Sequence, residues 1–122
     1  MSYSDTVLDH FEHPRNVGDL VDADAEVRLE HPICGDIMKL AVKLTDGRIG
    51  EVRFRTRGCV ASIAAGSCLT EMIAGKPLAE AAALQRDQLV TALGGLSNAS
   101  VHASHLAMDA LHQVLSKLKP AG

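Results

Sequence analysis

From Met38 to Arg57 apolar and polar residues alternate on either side of Asp46-Gly47, and no other segment restricts the fold so tightly. Met38, Leu40, Val42 and Leu44 take every second position before that dipeptide. Val52, Phe54 and Thr56 do so after it, interleaved with Glu51, Arg53, Arg55 and Arg57. Period-two alternation around Asp-Gly predicts an antiparallel hairpin with one face on a core. A strict two-residue turn would set Val42 opposite Glu51 and mix the faces. Pairing Val42 with Val52 and Leu40 with Phe54 keeps one face apolar; it needs either a three-residue loop or a bulge, and Gly50 is well placed for the bulge.

Helical patterns flank the hairpin. Ser4 is placed to cap a short helix in which Val7, Leu8 and Phe11 form an apolar patch, and His13-Pro14 should stop it. Residues 17–24 read as an irregular connector and 25–30 as a further strand. A small-residue helix is expected over 60–74, with Gly75 at its C-terminal cap and Pro77 preventing continuation. Residues 78–93 are Ala-rich and helical, in one piece or two, and Gly94-Gly95 closes them. The last helix should begin between Ser97 and Ser100. Val101, His105, Met108, Leu111, Leu115 and Leu118 then share one face. Helix, sheet, then helices is the order of an α+β domain, not of parallel βαβ units.

Composition narrows the function. A chain of 122 residues is expected to form a single domain, 1–122, with a core of its own. Aromatic residues make up only 2% and Trp is absent, which argues against base stacking on single-stranded nucleic acid. A formal charge of -3 gives no reason to invoke DNA or a membrane surface as partner. Three cysteines (Cys34, Cys59 and Cys68) are too few, and odd in number, for a disulfide framework. With no secretory pattern at Met1-Ser2-Tyr3 and no long apolar span, a reducing, cytoplasmic setting with free thiols is expected.

Two of those thiols stand beside glycines, in Cys34-Gly35-Asp36 and Gly58-Cys59. Gly35 lets the backbone bend so that Cys34 and Asp36 can face one ion; alternatively Cys34 is a small strand-edge hydrophobe and Asp36 a turn residue. Cys59 falls at a helix start, where free N–H groups would favour a thiolate; the other reading is a buried thiol behind a glycine. Cys68, nine residues on at about 100° each, turns to the opposite side and reads as core. His102 lies in the first turn of the last helix, either as a ligand or as an ordinary surface or packed histidine. Asp109, about 20° from it on the helical wheel, is placed to orient it. His105 and His112 share the apolar side and should pack there, with His105 a possible substitute ligand. Lys39, Lys43, Arg53, Arg55 and Arg57 give the sheet a basic face, either a solvated outer surface or a docking patch. Thiols, a carboxylate and an imidazole together form a plausible shell for zinc or iron. No zinc ribbon, P-loop, dinucleotide fingerprint or hydrolase elbow competes with it.

His13-Pro14-Arg15-Asn16-Val17-Gly18, Cys34-Gly35-Asp36-Ile37-Met38-Lys39-Leu40, Arg57-Gly58-Cys59, Thr70-Glu71 and Val101-His102-Ala103-Ser104-His105-Leu106-Ala107 occur in order along nearly the whole chain. Taken together they resemble the IscU/NifU N-terminal family of iron–sulfur cluster assembly scaffolds. The resemblance implies a small antiparallel sheet of about three strands packed against about five helices, and a non-enzymatic role. A cysteine desulfurase would supply sulfur, accessory proteins would supply iron and electrons, and a [2Fe–2S] cluster would pass to apo-proteins. Cys34 and Cys59 would be cluster ligands and sulfur acceptors, Asp36 the carboxylate that keeps the cluster labile, and His102 an additional or exchanging ligand. Zinc, Zn(2+), commonly occupies the same site in such proteins.

Two departures from that pattern stand out. The family carries a third cysteine directly after the histidine, a ligand and often the principal sulfur acceptor, where this chain has Ala103. Cys34, Asp36, Cys59 and His102 still offer four donors. The IscU branch also carries Leu-Pro-Pro-Val-Lys for an Hsp70-type chaperone; here the segment reads Leu96-Ser97-Asn98-Ala99-Ser100, so that chaperone is not expected. The insertion of the SufU branch between second cysteine and histidine is absent as well. Two rival functions follow from the same residues: a zinc-binding sulfur acceptor or modulator of a cysteine desulfurase, and a divergent paralogue acting only as an interaction protein.

Overall fold

The computed structural model describes residues 3–118. Three strands, β1 (Ala25–Glu30), β2 (Ile37–Thr45) and β3 (Arg48–Arg57), form one antiparallel sheet in the order β1-β2-β3. Five helices accompany them: α1 (Asp5–Glu12), α2 (Val60–Ile73), α3 (Leu78–Ala82), α4 (Arg86–Ala92) and α5 (His102–Lys117). This is the α+β architecture the alternation and helical periodicity predict.

The hairpin register follows from keeping apolar residues together. Val42 pairs with Val52 and Leu40 with Phe54, while Thr45 pairs with Arg48 across a tight Asp46-Gly47 turn. Both turn residues have positive φ, 53° and 77°, as a primed two-residue turn requires. The register slips between Lys43 and Leu44, whose partners are Glu51 and Ile49. Gly50 is the extra residue of that bulge. It has no room for a side chain, since a Cβ would lie 2.2 Å from Thr45 Oγ1.

One face of the sheet carries Met38, Leu40, Val42, Ile49, Val52 and Phe54, each at most 1% exposed. Helix α2 lies on β3 and α5 on β1 and β2. The small residues of α2 allow a close approach: at Gly66 a Cβ would sit 2.5 Å from Phe54 Cδ2. Apolar or small on nearly every side, α2 is buried between sheet and neighbouring helices. Cys68 is buried within it, and burial pushes its thiol up to about 11.

Ser4 caps α1 as expected, its Oγ accepting from Val7 N at 3.0 Å. The buried side of α1 differs from the expected patch. Val7 and His10 are buried while Leu8 and Phe11 stay exposed. A polar network explains this: His10 Nδ1 lies 2.7 Å from Ser67 Oγ on α2, Arg15 N donates to the same oxygen at 2.9 Å, and Asn16 Nδ2 donates to Thr70 Oγ1 at 3.1 Å. Periodicity counts apolar residues, and this docking is largely polar.

The apolar face of α5 is also rotated from the expected one. Ala103, Leu106, Ala107, Ala110, Leu111 and Val114 are buried with Met108, whereas His105 and His112 are exposed. Ala103, Ala107 and Ala110 are all fully buried. His105 is therefore no packed residue and no member of the site described below.

The connector is partly ordered onto β3. Gly18 N donates to Phe54 O at 3.0 Å and Phe54 N to Asn16 O at 2.9 Å, forming a short parallel bridge along that edge. On the outer face Asp19 Oδ1 receives Lys39 Nζ and Arg55 Nε, both at 3.1 Å. Paired and partly exposed, these cations fit the solvated outer surface.

Candidate metal centre

Three chain segments meet at one end of the sheet. The loop between β1 and β2 brings Cys34 and Asp36, the end of β3 leads through Gly58 to Cys59 at the start of α2, and α5 opens with His102. Gly35, at φ +77°, supplies the left-handed bend between Cys34 and Asp36. Cys34 comes from a loop, Asp36 from the residue before β2, Cys59 from the cap of α2 and His102 from the first residue of α5.

The ligand atoms of Cys34, Asp36 and His102 lie within 4.8 Å of one another. Cys59 adjoins this trio: its Sγ is 3.6 Å from His102 Nε2, and that same nitrogen is 3.5 Å from Asp36 Oδ2. Cys34 is exposed and Cys59 half-buried. His102 Nε2 thus adjoins both the carboxylate and the second thiol, and the first thiol is exposed. The partners of His102 are Asp36, Cys59 and His31, not Asp109, which is exposed on α5.

Asp36 is the most constrained of the four. Ser62 Oγ donates to its Oδ2 at 2.7 Å and Cys59 N to the same oxygen at 3.3 Å. Burial pushes its carboxyl pKa up. Hydrogen bonds from Ser62, from the backbone and thiol of Cys59, and from His102 outweigh that and leave it below the ordinary value. The amide at the start of α2 therefore serves the carboxylate. Cys59 itself makes no side-chain cap, though its Sγ lies 3.4 Å from Ser62 Oγ.

Ser62 and His31 were not singled out by motif or spacing, and Gly58 was noted without its contact to Asp36. Ser62 had a signal, since it stands three residues after the helix start and so beside the orphan amides. Gly58 had only its place before Cys59. His31 had none within the sequence; its role follows from where the β1–β2 loop closes.

The donor set fits a soft-to-borderline metal. Donors around one tetrahedral zinc lie roughly 3.5 Å apart, as its bond lengths of about 2.0–2.3 Å require. The 3.5 and 3.6 Å separations at His102 Nε2 have that spacing. Two thiolates with one carboxylate and one imidazole also suit iron.

A family model described as the NifU-like N-terminal domain matches residues 2–120. The iron–sulfur cluster assembly scaffold protein IscU 1 of Archaeoglobus fulgidus is 47% identical over 113 residues, covering 93% of this chain and 74% of the relative. The iron–sulfur cluster assembly scaffold protein IscU of Escherichia coli K12 is 41% identical over 123 residues, covering 98% and 95%. Among solved structures, the N-terminal NifU-like protein of Brucella abortus has the same fold, with a TM-score of 0.77 at 17% identity over 94% of this chain and 92% of that one. No described helix is long and apolar enough to cross a membrane.

Proposed function

The chain belongs to the NifU-like N-terminal domain family, and from that membership we propose that it is a non-enzymatic scaffold and carrier for an iron–sulfur cluster, of the [2Fe–2S] type. The cluster is its cargo, held by Cys34, Cys59, Asp36 and His102. The observation that carries this is the convergence of Cys34, Asp36 and His102 within 4.8 Å, with Cys59 3.6 Å from His102. A structural role would bury such groups; here a thiol is left exposed at the rim.

The mixed donor set suits transfer. A carboxylate oxygen is a harder donor than thiolate and holds iron–sulfide less firmly, so the same site can receive a cluster and give it up. Sulfur would come from a cysteine desulfurase, with Cys34 as the first acceptor because it is exposed. Its thiolate attacks the outer sulfur of the desulfurase persulfide, a new S–S bond forms, the old one breaks, and the desulfurase thiolate leaves. Iron and electrons would come from donor proteins, and apo iron–sulfur proteins would take the product. With Ala103 beside His102, the chain must accept sulfur on Cys34 or Cys59.

Anaerobic purification and reconstitution test the proposal. Iron and acid-labile sulfide in equal amounts, with a visible cluster spectrum lost in Cys59→Ala, are expected. A chain that holds no cluster after reconstitution overturns it.

A second reading is a zinc-bound form that accepts sulfur from, or modulates, the desulfurase. The single-ion spacing around His102 Nε2 favours it. One zinc per chain without sulfide would support this reading. Absence of persulfide on both Cys34 and Cys59 after desulfurase treatment would remove the acceptor role.

A further inference from the structure

The loop that carries Cys34 has almost no packing to hold it. Pro32, Ile33, Cys34 and Gly35 are all exposed, Ile33 to 90%. Its shape therefore rests on hydrogen bonds, and these converge on one residue. His31 N donates to Asp36 O at 2.7 Å, and Gly35 N donates to His31 O at 2.9 Å. Ile33 N and Cys34 N both donate to His31 Nδ1, each at 3.3 Å.

A backbone N–H can only donate, so Nδ1 must carry its lone pair and the neutral ring its proton on Nε2. That ring also meets His102 edge-on, with centroids 5.5 Å apart and planes at 62°. His31 thus ties the thiol loop to the start of α5. It stands outside the trio of donors, and its tautomer leaves Nε2 with a proton in place of a lone pair.

We infer that His31 is a positioning residue for the metal centre: its Nδ1 fixes the backbone of Ile33 and Cys34, so that the Cys34 thiol is held near Asp36 and His102. This role presumes the donor set proposed above. The acceptor matters here, and the ring matters less. An Asn side chain can accept from the amides two and three residues on, as in an Asx turn, and so replaces Nδ1 without the ring. Phe keeps a ring against His102 and offers no acceptor. Ala offers neither.

Two measurements on the parent chain and on His31→Ala, His31→Phe and His31→Asn separate these parts. The first is the Zn2+ dissociation constant, by competition with a chromophoric chelator. The second is amide hydrogen exchange of Ile33 and Cys34 in the metal-free protein. His31→Ala and His31→Phe should weaken zinc binding about tenfold or more, as loss of groups that orient ligands does, with His31→Asn within about threefold of the parent. The two amides should exchange faster in the Ala and Phe variants and be protected again in the Asn variant. Parent-like zinc affinity in His31→Ala overturns the inference, and so does a His31→Asn variant as weak as His31→Ala. A parent chain with no zinc affinity would instead sink the donor set. Exchange alone would then decide the role of His31, with unchanged rates in His31→Ala and His31→Phe counting against it.

Discussion

Gly58 and Asp36 are in contact: a Cβ built on Gly58 would lie 2.4 Å from Asp36 Cγ and 2.7 Å from both carboxylate oxygens. The Asp36 carboxylate therefore lies against position 58 only because that residue has no side chain. That approach seats the carboxylate at the start of α2, where Ser62 Oγ and Cys59 N reach it. One glycine thereby leaves room for the carboxylate between the two cysteine-bearing segments. Asp36 is held as an anion by donors from α2, and His102 meets it from α5.

Gly58→Ala should displace that carboxylate. The two donors to Oδ2 would be lost or lengthened, and zinc affinity should fall about tenfold to a hundredfold, the range for disturbing groups behind metal ligands. The added methyl should also cost about 1–3 kcal/mol of stability, as overpacking does. Zinc competition and urea unfolding check both. Parent-like affinity in a folded variant would show that the contact does not position Asp36.

The three thiols should differ in reactivity. Cys34 is exposed, Cys59 half-buried, and Cys68 buried with its thiol pushed up to about 11. At pH 8 a thiol of that kind is about one part in a thousand thiolate, and thiolate is the reactive form. Iodoacetamide on the native, metal-free chain should therefore modify Cys34 first and leave Cys68 unmodified until unfolding. Peptide mass mapping over time reads the order. Early modification of Cys68 would mean that α2 opens readily.

Much of this could be read from the sequence, and the misses share a cause. The Val42–Val52 register and the bulge at Gly50 follow from patterns with strong physical constraints, whereas donor types made Cys34, Asp36, Cys59 and His102 only candidates and the family resemblance assigned them to one site. One-sided burial fixes register, and a glycine permits a bulge or bend. The faces of α1 and α5 were less legible. In α1 His10 is buried beside Val7, held by Ser67 and Arg15; in α5 the alanines are buried and His105 and His112 are not. Polar docking and small-residue packing depend on partners far along the chain, which apolar periodicity does not register. Ser62 was missed for the same reason, since it acts through a tertiary hydrogen bond to Asp36; His31 acts through hydrogen bonds within its own loop, which apolar periodicity does not register either.

Acid should loosen α1. His10 is buried, and burial first, then the Arg15 guanidinium, lower its pKa from the ordinary 6.5; Glu71 and Asp9 act in the opposite sense. The unfolded chain takes up this proton at higher pH than the folded one. The stability tied to neutral His10 is thus present above pH 6.5 and is lost as pH falls through the lower folded value. Urea midpoints at pH 7.5 and 5.5 should drop more for the parent than for His10→Gln. Equal drops would place the acid sensitivity elsewhere.

Ala103 is completely buried although His102 beside it reaches the site. Its amide donates to Ser100 O at 3.0 Å in the turn that opens α5, so the residue is held on the core side of the helix start. Ala103→Cys adds a sulfur to close-packed surroundings, and extra core volume typically costs about 1–3 kcal/mol. In the metal-free chain the new thiol should be alkylated far more slowly than Cys34, because burial restricts access and disfavours thiolate. Urea unfolding and alkylation kinetics of Ala103→Cys test this together. Parent-like stability with alkylation as fast as that of Cys34 would show that the turn already moves freely and that position 103 opens onto the site.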